Sequence, residues 1–162
     1  MSNTLTSSLN KEHLALWLER PEVADVVERA QCAMSPEQLD MTFKLWEVLH
    51  TLSADPDMLL AAAVYICPEM KSAEFQLKPE VQKLLDGLTA SHKVWQIYQQ
   101  HGKNGSAEGL RRLLLAIILD LRVLIILLAW QLIQMRLAID WPEPERLALA
   151  NLTFDIHAPL AN

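Results

Sequence analysis

Apolar residues recur at helical spacing along most of the chain, and they are densest between Leu110 and Ile139. In that stretch they fall on every face of a helix, and only the step Asp120–Arg122 divides the stretch into two runs. A helix that is apolar on all sides is typical of a protein interior. Neither glycine nor proline interrupts the runs. The pattern therefore predicts two central helices with other helices packed around them.

Proline and capping residues mark the other helix boundaries. Ser35-Pro36-Glu37 and Asp55-Pro56-Asp57 each combine an N-cap side chain, a proline and a first-turn acid, and Pro68 should end the second helix. Gly87 is expected to break the helix that starts at Pro79, and His101–Gly109 is expected to be a loop. A last helix should run from Pro142 to His157 and pack back through its apolar residues, which are Leu147, Leu149, Leu152 and Ile156.

These boundaries predict an all-α protein of roughly eight to ten short helices. Residues 1–10 are polar and rich in Ser and Thr, and we expect a loose tail there. Residues 11–162 are expected to form a single domain, because 162 residues can build one core and contain no low-complexity linker.

A membrane span is the competing interpretation of the apolar runs. Each Leu, Ile or Val between Leu113 and Ile133 would favour insertion by roughly 0.3–0.6 kcal/mol, but Asp120 and Arg122 would each cost about 2.5–3.5 kcal/mol. No stretch reaches about 18 residues without a charge. We therefore favour buried core helices and expect no membrane association.

Composition and charge exclude some classes of protein. The net charge is −6 and there is no basic stripe, so the electrostatic signature of a nucleic-acid-binding protein is absent. The N-terminus has no apolar signal core, and cytoplasmic is the default location. Cys32 and Cys67 have no metal-ribbon spacing, and we expect buried, reduced thiols.

Residue spacing alone offers little chemistry. The sequence has no HExxH, no glycine-rich phosphate loop and no GxSxG. A zinc site built from Cys67, Glu69 and a distant histidine is disfavoured, and His50 is expected to be a packed core histidine. For Asp120 and Arg122 we favour an ion pair or helix cap over a catalytic role. On these grounds the chain is a soluble helical domain.

Several short motifs, in the correct order, resemble the hydrolase domain of RelA/SpoT homologues. Residues 111–136 resemble the core segment that active members write approximately as RxMLLAMxxDxRVxLIKLADRLHNMR. Residues 156–162, IHAPLAN, look like the start of the IYAPLANRLG signature that leads toward the synthetase domain. Residues 86–89 are similar to the DGVTK step, and residues 58–70 align with the AALLHDxxED helix. The resemblance covers roughly residues 40–162.

The resemblance implies an HD-domain-like helical bundle that, in active members, holds one Mn²⁺ and removes pyrophosphate from the 3′ position of (p)ppGpp. Carried over by alignment, the early histidine ligand falls at Met41, the His-Asp pair at Tyr65 and Ile66, and the later aspartate at Trp130. None of these side chains is a ligand that a hard divalent cation prefers. We therefore expect the Mn²⁺ site to be lost, with no metal ligand, catalytic residue or cofactor.

The surrounding polar positions of the family site have changed as well. The HDxxED glutamate is kept as Glu69, but its aspartate is Met70. In KLADRLHN, four polar positions are replaced, by Leu127, Gln131, Ile133 and Gln134. The vestigial polar residues are Glu69, Asp120 and Arg122. Unpaired polar groups are costly to bury, whereas apolar replacements let the centre pack as a core.

This pattern resembles the RelA branch, in which a pseudo-hydrolase domain precedes an active (p)ppGpp synthetase. The expected function is that of an inactive regulatory domain in a GTP pyrophosphokinase of the stringent response. The expected partner is the adjacent synthetase domain, in a ribosome-associated parent, and the chain is expected to end before that domain. The alternatives are a weak phosphohydrolase with a relocated metal, using Glu69, Asp120 and a nearby histidine, and a membrane-associated or oligomerising helical module.

Overall fold

The computed structural model describes residues 19–52, 55–71, 77–101, 107–118 and 120–160, and most of these residues are helical, with no strand among them. The all-α class is confirmed. Seven helices of ten or more residues lie in the described ranges: α1 (Pro21–Ala33), α2 (Pro36–Thr51), α3 (Pro56–Ile66), α4 (Pro79–His101), α5 (Ala107–Ile117), α6 (Leu121–Leu137) and α7 (Glu143–Leu152). Short helical turns follow three of them, at Pro68–Met70, Ala138–Asp140 and Thr153–His157, and a last turn is Ala158–Leu160. The expected tail, 1–10, lies outside the described residues.

The chain falls into two compact units, residues 1–85 and residues 86–162. In the first unit, α2 packs against α3, and the Trp46 indole nitrogen donates a hydrogen bond of 2.9 Å to the Leu59 carbonyl oxygen. Trp46 and Phe43 meet edge to face, with ring centroids 5.7 Å apart, and both are fully buried. In the second unit, the inner side of α6 and the end of the last helix supply most of the buried side chains. The single domain expected for 11–162 stays a prediction.

The predicted helix starts are confirmed. Ser35 forms a capping box with Gln38, in which the Gln38 backbone N–H donates to Ser35 Oγ at 3.2 Å and the Ser35 N–H donates to Gln38 Oε1 at 3.1 Å. Asp55 Oδ1 accepts from the Met58 backbone N–H at 2.9 Å, which caps α3. The α3 helix ends at Ile66, two residues before Pro68, as predicted.

The predicted break at Gly87 is wrong, since α4 continues through it. A Cβ atom at Gly87 would lie 2.9 Å from Val123 Cγ2, so the missing side chain lets the helix approach α6 closely. A glycine inside a helix costs about 1 kcal/mol relative to alanine, which close packing can offset. The helix then reaches His101, inside the predicted loop, and α5 begins at Ala107; residues 102–106 are outside the described ranges.

The prediction that the two apolar runs are surrounded by protein is only partly correct. In α5, Leu114 is fully buried while Leu113 and Leu115 are about half exposed, at 44% and 54%. In α6, one side is buried and the other is exposed. The last helix shows the same division: Leu152 and Ile156 are buried as expected, but Leu147 is exposed. An apolar pattern at helical spacing identifies the helices but does not tell which apolar side is covered.

One described stretch, Leu121–Asp140, is long and apolar enough to cross a membrane, with a mean hydropathy of 1.7. Core helices of soluble proteins satisfy the same criterion, and 39% of this stretch is buried inside the protein. Its first turn is tied down by the charged pair Asp120–Arg122, which places an ion pair at the helix start.

Candidate functional site

The end of α3 carries the positions at which the resemblance places a His-Asp pair. Tyr65 and Ile66 are the last two residues of the helix and are half-buried. The turn before them is tightly packed, with Ala61, Ala62 and Ala63 fully buried. Small residues there allow neighbouring helices to come close. The backbone geometry of this helix end is therefore set by packing, and its two side chains are an aromatic and an aliphatic group.

Tyr65 does not supply an anionic ligand at neutral pH. Burial raises the pKa of the Tyr65 phenol above its ordinary value of 10.0, so the phenol stays protonated. Ile66 has no donor atom. These two side chains do not fit a hard divalent cation, which prefers carboxylate, imidazole or water oxygen and nitrogen donors.

Cys67 and Glu69 form a small polar cluster directly after α3. The buried Cys67 thiol donates a hydrogen bond of 3.3 Å to Glu69 Oε2. Burial, together with the hydrogen bond and charge of Glu69, raises the pKa of the thiol, so Cys67 remains a thiol rather than a thiolate. The Glu69 backbone N–H and the thiol lower the pKa of the exposed Glu69 carboxyl. The predicted burial is confirmed for Cys67 and wrong for Cys32, which is exposed; both are free thiols.

Helix α2 carries Met41, the position aligned with the early histidine ligand. Met41 is half-buried, and the next residue, Thr42, is fully buried and donates to the Gln38 carbonyl oxygen at 2.8 Å. A thioether is a poor ligand for a hard cation. His50 lies in the last turn of the same helix and is exposed, so its prediction as a core histidine is wrong.

Asp120 and Arg122 start α6 as a combined cap and ion pair. Asp120 Oδ1 accepts the Arg122 backbone N–H at 2.9 Å, and Arg122 Nη2 lies 2.8 Å from Asp120 Oδ2. The hydrogen bonds from Arg122 outweigh partial burial and lower the pKa of the Asp120 carboxyl. Both side chains are about one-third exposed. The geometry is that of the structural role favoured from the sequence.

Further along α6 lie the positions that the resemblance aligns with polar residues of the family site. Leu127 and Ile133 are buried, and Trp130, aligned with the later aspartate ligand, is half-buried. Gln131 is also buried, and its Nε2 donates a hydrogen bond of 2.7 Å to Thr153 Oγ1. The Thr153 hydroxyl in turn donates to the Leu149 carbonyl oxygen at 2.7 Å. The amide side chain thus joins α6 to the end of α7.

The sequence analysis predicted neither the hydrogen bond between Gln131 and Thr153 nor the burial of His157. Thr153 opens a π-helical turn, Thr153–His157, and the His157 ring is 3% exposed. Burial lowers the pKa of His157 from 6.5 to about 4, and Nδ1 lies 3.4 Å from the Leu152 carbonyl oxygen. At neutral pH this imidazole is therefore neutral.

The sequence-predicted site residues are divided between the two units. Met41, Tyr65, Ile66 and Glu69 belong to the first unit. Asp120, Arg122 and Trp130, all on or beside α6, belong to the second. Within the ranges that the structure describes, no three His, Cys, Asp or Glu side chains form a group that could hold a metal ion. In the second unit, Asp120 and Arg122 form a helix cap with an ion pair, and Gln131 links two helices.

Comparison with known proteins gives a family and several relatives. A sequence profile for the HD domain matches residues 23–162. The GTP pyrophosphokinase of Escherichia coli is 34% identical over 137 residues, which cover 76% of this chain and 18% of that protein. The GTP pyrophosphokinase rsh of Brucella ovis and that of Brucella abortus are each 46% identical over 83 residues, covering 51% of this chain and 11% of the relative.

The chain spans less than a fifth of the length of these relatives. No solved structure matches it significantly. The similarity to the curated proteins confirms the resemblance to RelA/SpoT homologues that the ordered motifs indicate.

Proposed function

The chain belongs to the HD domain family, and we propose that it is a catalytically inactive regulatory domain of a RelA-type (p)ppGpp synthetase. The parent would be a GTP pyrophosphokinase of the stringent response, as the names of the relatives suggest. Its synthetase domain would be the direct partner of this domain, and the parent would work in the cytoplasm in association with the ribosome.

One observation carries the proposal. The end of α3, where the family places its His-Asp pair, presents a protonated phenol and an aliphatic side chain. The replaced positions on α6 point the same way, since two of them, Leu127 and Ile133, are buried among apolar residues. Each aliphatic side chain that is fully buried contributes roughly 1.5–3 kcal/mol to folding. At these two positions, where active members have polar side chains around the metal, the side chains of this chain would stabilise the fold instead.

The remaining acids support the same proposal. Glu69 accepts the Cys67 thiol, and Asp120 accepts two groups of Arg122. The pKa of each carboxyl lies below its ordinary value. A general acid at neutral pH needs a raised pKa, so neither carboxyl is tuned for that role. The Asp120 carboxylate caps the start of α6 and pairs with the Arg122 guanidinium.

A regulatory role would operate through packing against the synthetase. Such a role is allosteric only if the domain has two states that the synthetase distinguishes. The net charge of −6 argues against direct contact with nucleic acid by this domain, so any ribosome association would come from other parts of the parent.

Release of pyrophosphate from ppGpp tests the proposal. The 162-residue chain is incubated with excess Mn²⁺, beside an active hydrolase of the family and a sample with metal alone. We expect no turnover above the metal-only sample, because the family ligand positions lack donors. Turnover that disappears on chelation would refute the proposal. The variants Glu69→Gln and Asp120→Asn would then identify a relocated metal site.

A further inference from the structure

The turn Thr153–His157 is π-helical, so its backbone hydrogen bonds close over five residues instead of the four of an α-helix. The Ala158 backbone N–H accordingly donates to the Thr153 carbonyl oxygen, five residues earlier. Turns of this kind are rare and occur mostly as single turns within longer helices. Here the turn lies between α7 and the last helical turn, Ala158–Leu160. Relative to an uninterrupted α-helix, it contains one extra residue.

The π-helical register determines which side chains of the turn are buried. In an α-helix each residue advances by about 100°, so the residue five positions after Leu152 would lie about 140° away from it. In the π-helical register that residue returns to the same side, because five residues close one turn. Leu152, Ile156 and His157 are all buried. The π-helical register is therefore what places the His157 ring in the interior.

A hydrogen bond from α6 holds this register. The Thr153 hydroxyl accepts from Gln131 Nε2 at 2.7 Å and donates to the Leu149 carbonyl oxygen at 2.7 Å. At the other end of the turn, His157 Nδ1 lies 3.4 Å from the Leu152 carbonyl oxygen. Gln131 is buried, and a buried amide that loses its partner is costly. A change of register at Thr153 would break the bond to Gln131.

Two contributions favour the α-helical register instead. The preceding helix, α7, already has α-helical geometry, and a continuous α-helix avoids the rarer π-helical bonds. An α-helical register would also turn the His157 ring toward solvent, which removes the cost of burying an imidazole. The hydrogen bond from Gln131 opposes both contributions. The turn thus combines the opposing contributions that a two-state element requires.

We propose that the turn Thr153–His157 is a switch between a π-helical and an α-helical register, and that the hydrogen bond from Gln131 to Thr153 holds it in the π-helical one. In the α-helical register the His157 ring faces solvent. The turn Ala158–Leu160 then rotates by about 100° relative to α7. Residues that continue from Leu160 would be reoriented by the same angle. The proposal does not depend on whether the domain hydrolyses (p)ppGpp.

Hydrogen exchange of the 162-residue chain, followed for single amides by NMR, tests the proposal with Gln131→Leu. The variant keeps an apolar side chain of similar size but lacks the donor. We expect amides of residues 153–160 to exchange about tenfold faster or more, and those of α2 in the first unit to be unchanged. Gln134→Leu is the matched control, because Gln134 is half-buried one turn further along α6. It should leave exchange in the turn unchanged.

The titration of His157, also followed by NMR, reports the register itself. Burial holds the pKa of His157 at about 4, compared with 6.5 for an exposed ring. In Gln131→Leu the pKa should rise toward 6.5, because the α-helical register exposes the ring. The signal of His157 is identified by its loss in His157→Gln.

Deletion of Phe154 separates the register from the hydrogen bond. Phe154 is exposed, and its deletion removes the extra residue of the turn. Ile156 and His157 then follow Leu152 by three and four positions, which places both on its side of an ordinary α-helix. We expect the pKa of His157 to stay near 4 in the deletion variant, both with Gln131 and with Gln131→Leu, because no π-helical register remains to be lost.

Three outcomes would overturn the proposal. One is unchanged exchange of the turn in Gln131→Leu. Another is exchange that accelerates equally throughout the second unit, since the bond would then contribute only to general stability. The third is a pKa of His157 that stays near 4 although the turn exchanges faster, because the ring would then remain buried without a change of register.

Discussion

Helices α3 and α6 both carry positions of the family metal site, and both are rich in apolar residues, yet they are buried to different extents. On α3, Leu59 and every residue from Ala61 to Val64 are at most 5% exposed. The two positions that the resemblance aligns with ligands on α3, Tyr65 and Ile66, follow this buried stretch and are themselves half-buried. On α6, one side is equally buried, but Leu121, Leu132 and Met135 on the other side are exposed. In this second helix, apolar residues also lie on the surface, so apolar character alone does not tell which side of a helix is covered.

The packing of α2 against α3 should depend strongly on Trp46. Trp46→Ala would remove a fully buried ring and leave the Leu59 carbonyl oxygen without its indole donor. We expect a loss of about 3–5 kcal/mol in the free energy of unfolding, measured by urea denaturation. Trp46→Phe keeps most of the volume and should cost less than half as much. Equal costs for the two variants would mean that packing of the ring contributes little.

The burial of His157 in the second unit should make the free energy of unfolding depend on pH. His157 has a pKa lowered to about 4 by burial, whereas in the unfolded chain it would be near 6.5. The unfolded state therefore binds the proton first as the pH falls, so the contribution of His157 to stability is fully present above pH 6.5 and declines toward pH 4. The decline should be on the order of 2–4 kcal/mol.

Urea denaturation between about pH 7 and about pH 4 measures this dependence, and His157→Gln is the test variant. The variant should lose most of the slope between the two pKa values, even if it is less stable at neutral pH. An unchanged slope in the variant would show that other groups cause the acid destabilisation.

Replacing alanine by leucine should lower the free energy of unfolding at a buried position on α3 but not at an exposed position on α7. Ala62 is fully buried, so Ala62→Leu should cost about 1–3 kcal/mol through overpacking. Ala150 is exposed on α7, and the same change there should stay within about 0.5 kcal/mol. Thermal unfolding of both variants measures the difference. If Ala62→Leu were neutral, α3 would not be closely packed.

The polar link between α6 and the last helix should have a smaller effect. Gln131→Leu removes the bond to Thr153 Oγ1, and Thr153→Val removes that bond and the one to the Leu149 carbonyl oxygen. Each single change should cost about 1–2 kcal/mol, and the double variant should cost less than their sum. A double-mutant cycle in urea measures the coupling. Strict additivity would show that the two side chains do not act together.

Local signals in the sequence predict the helix boundaries well. Ser35, Asp55 and Asp120 each cap the helix expected after them, because capping depends on residues two or three positions away. The predicted helix break at Gly87 is wrong because the role of this residue is not local. Its role depends on Val123, which is far away in the sequence, and glycine alone does not distinguish a helix break from a close helix contact.

The same limit applies to the candidate site. The order of motifs indicates which positions the family uses, and the side chains at those positions predict that the metal ligands are missing. The sequence does not tell that Gln131 meets Thr153, or that His157 is buried while His50 is exposed. Those outcomes depend on tertiary packing, which overrides the average tendencies of each residue type. The exposure of Leu121, Leu132 and Met135 on α6 also depends on tertiary packing.

The most direct test of the central claim is Mn²⁺ binding, followed by the electron paramagnetic resonance signal of the free ion. The chain is titrated with Mn²⁺ beside an active hydrolase of the family. We predict that the free-ion signal stays as large as in buffer, because Tyr65, Ile66, Met41 and Trp130 offer no suitable donors. Stoichiometric loss of the signal, reversed by Glu69→Gln or Asp120→Asn, would contradict the claim that the site is filled.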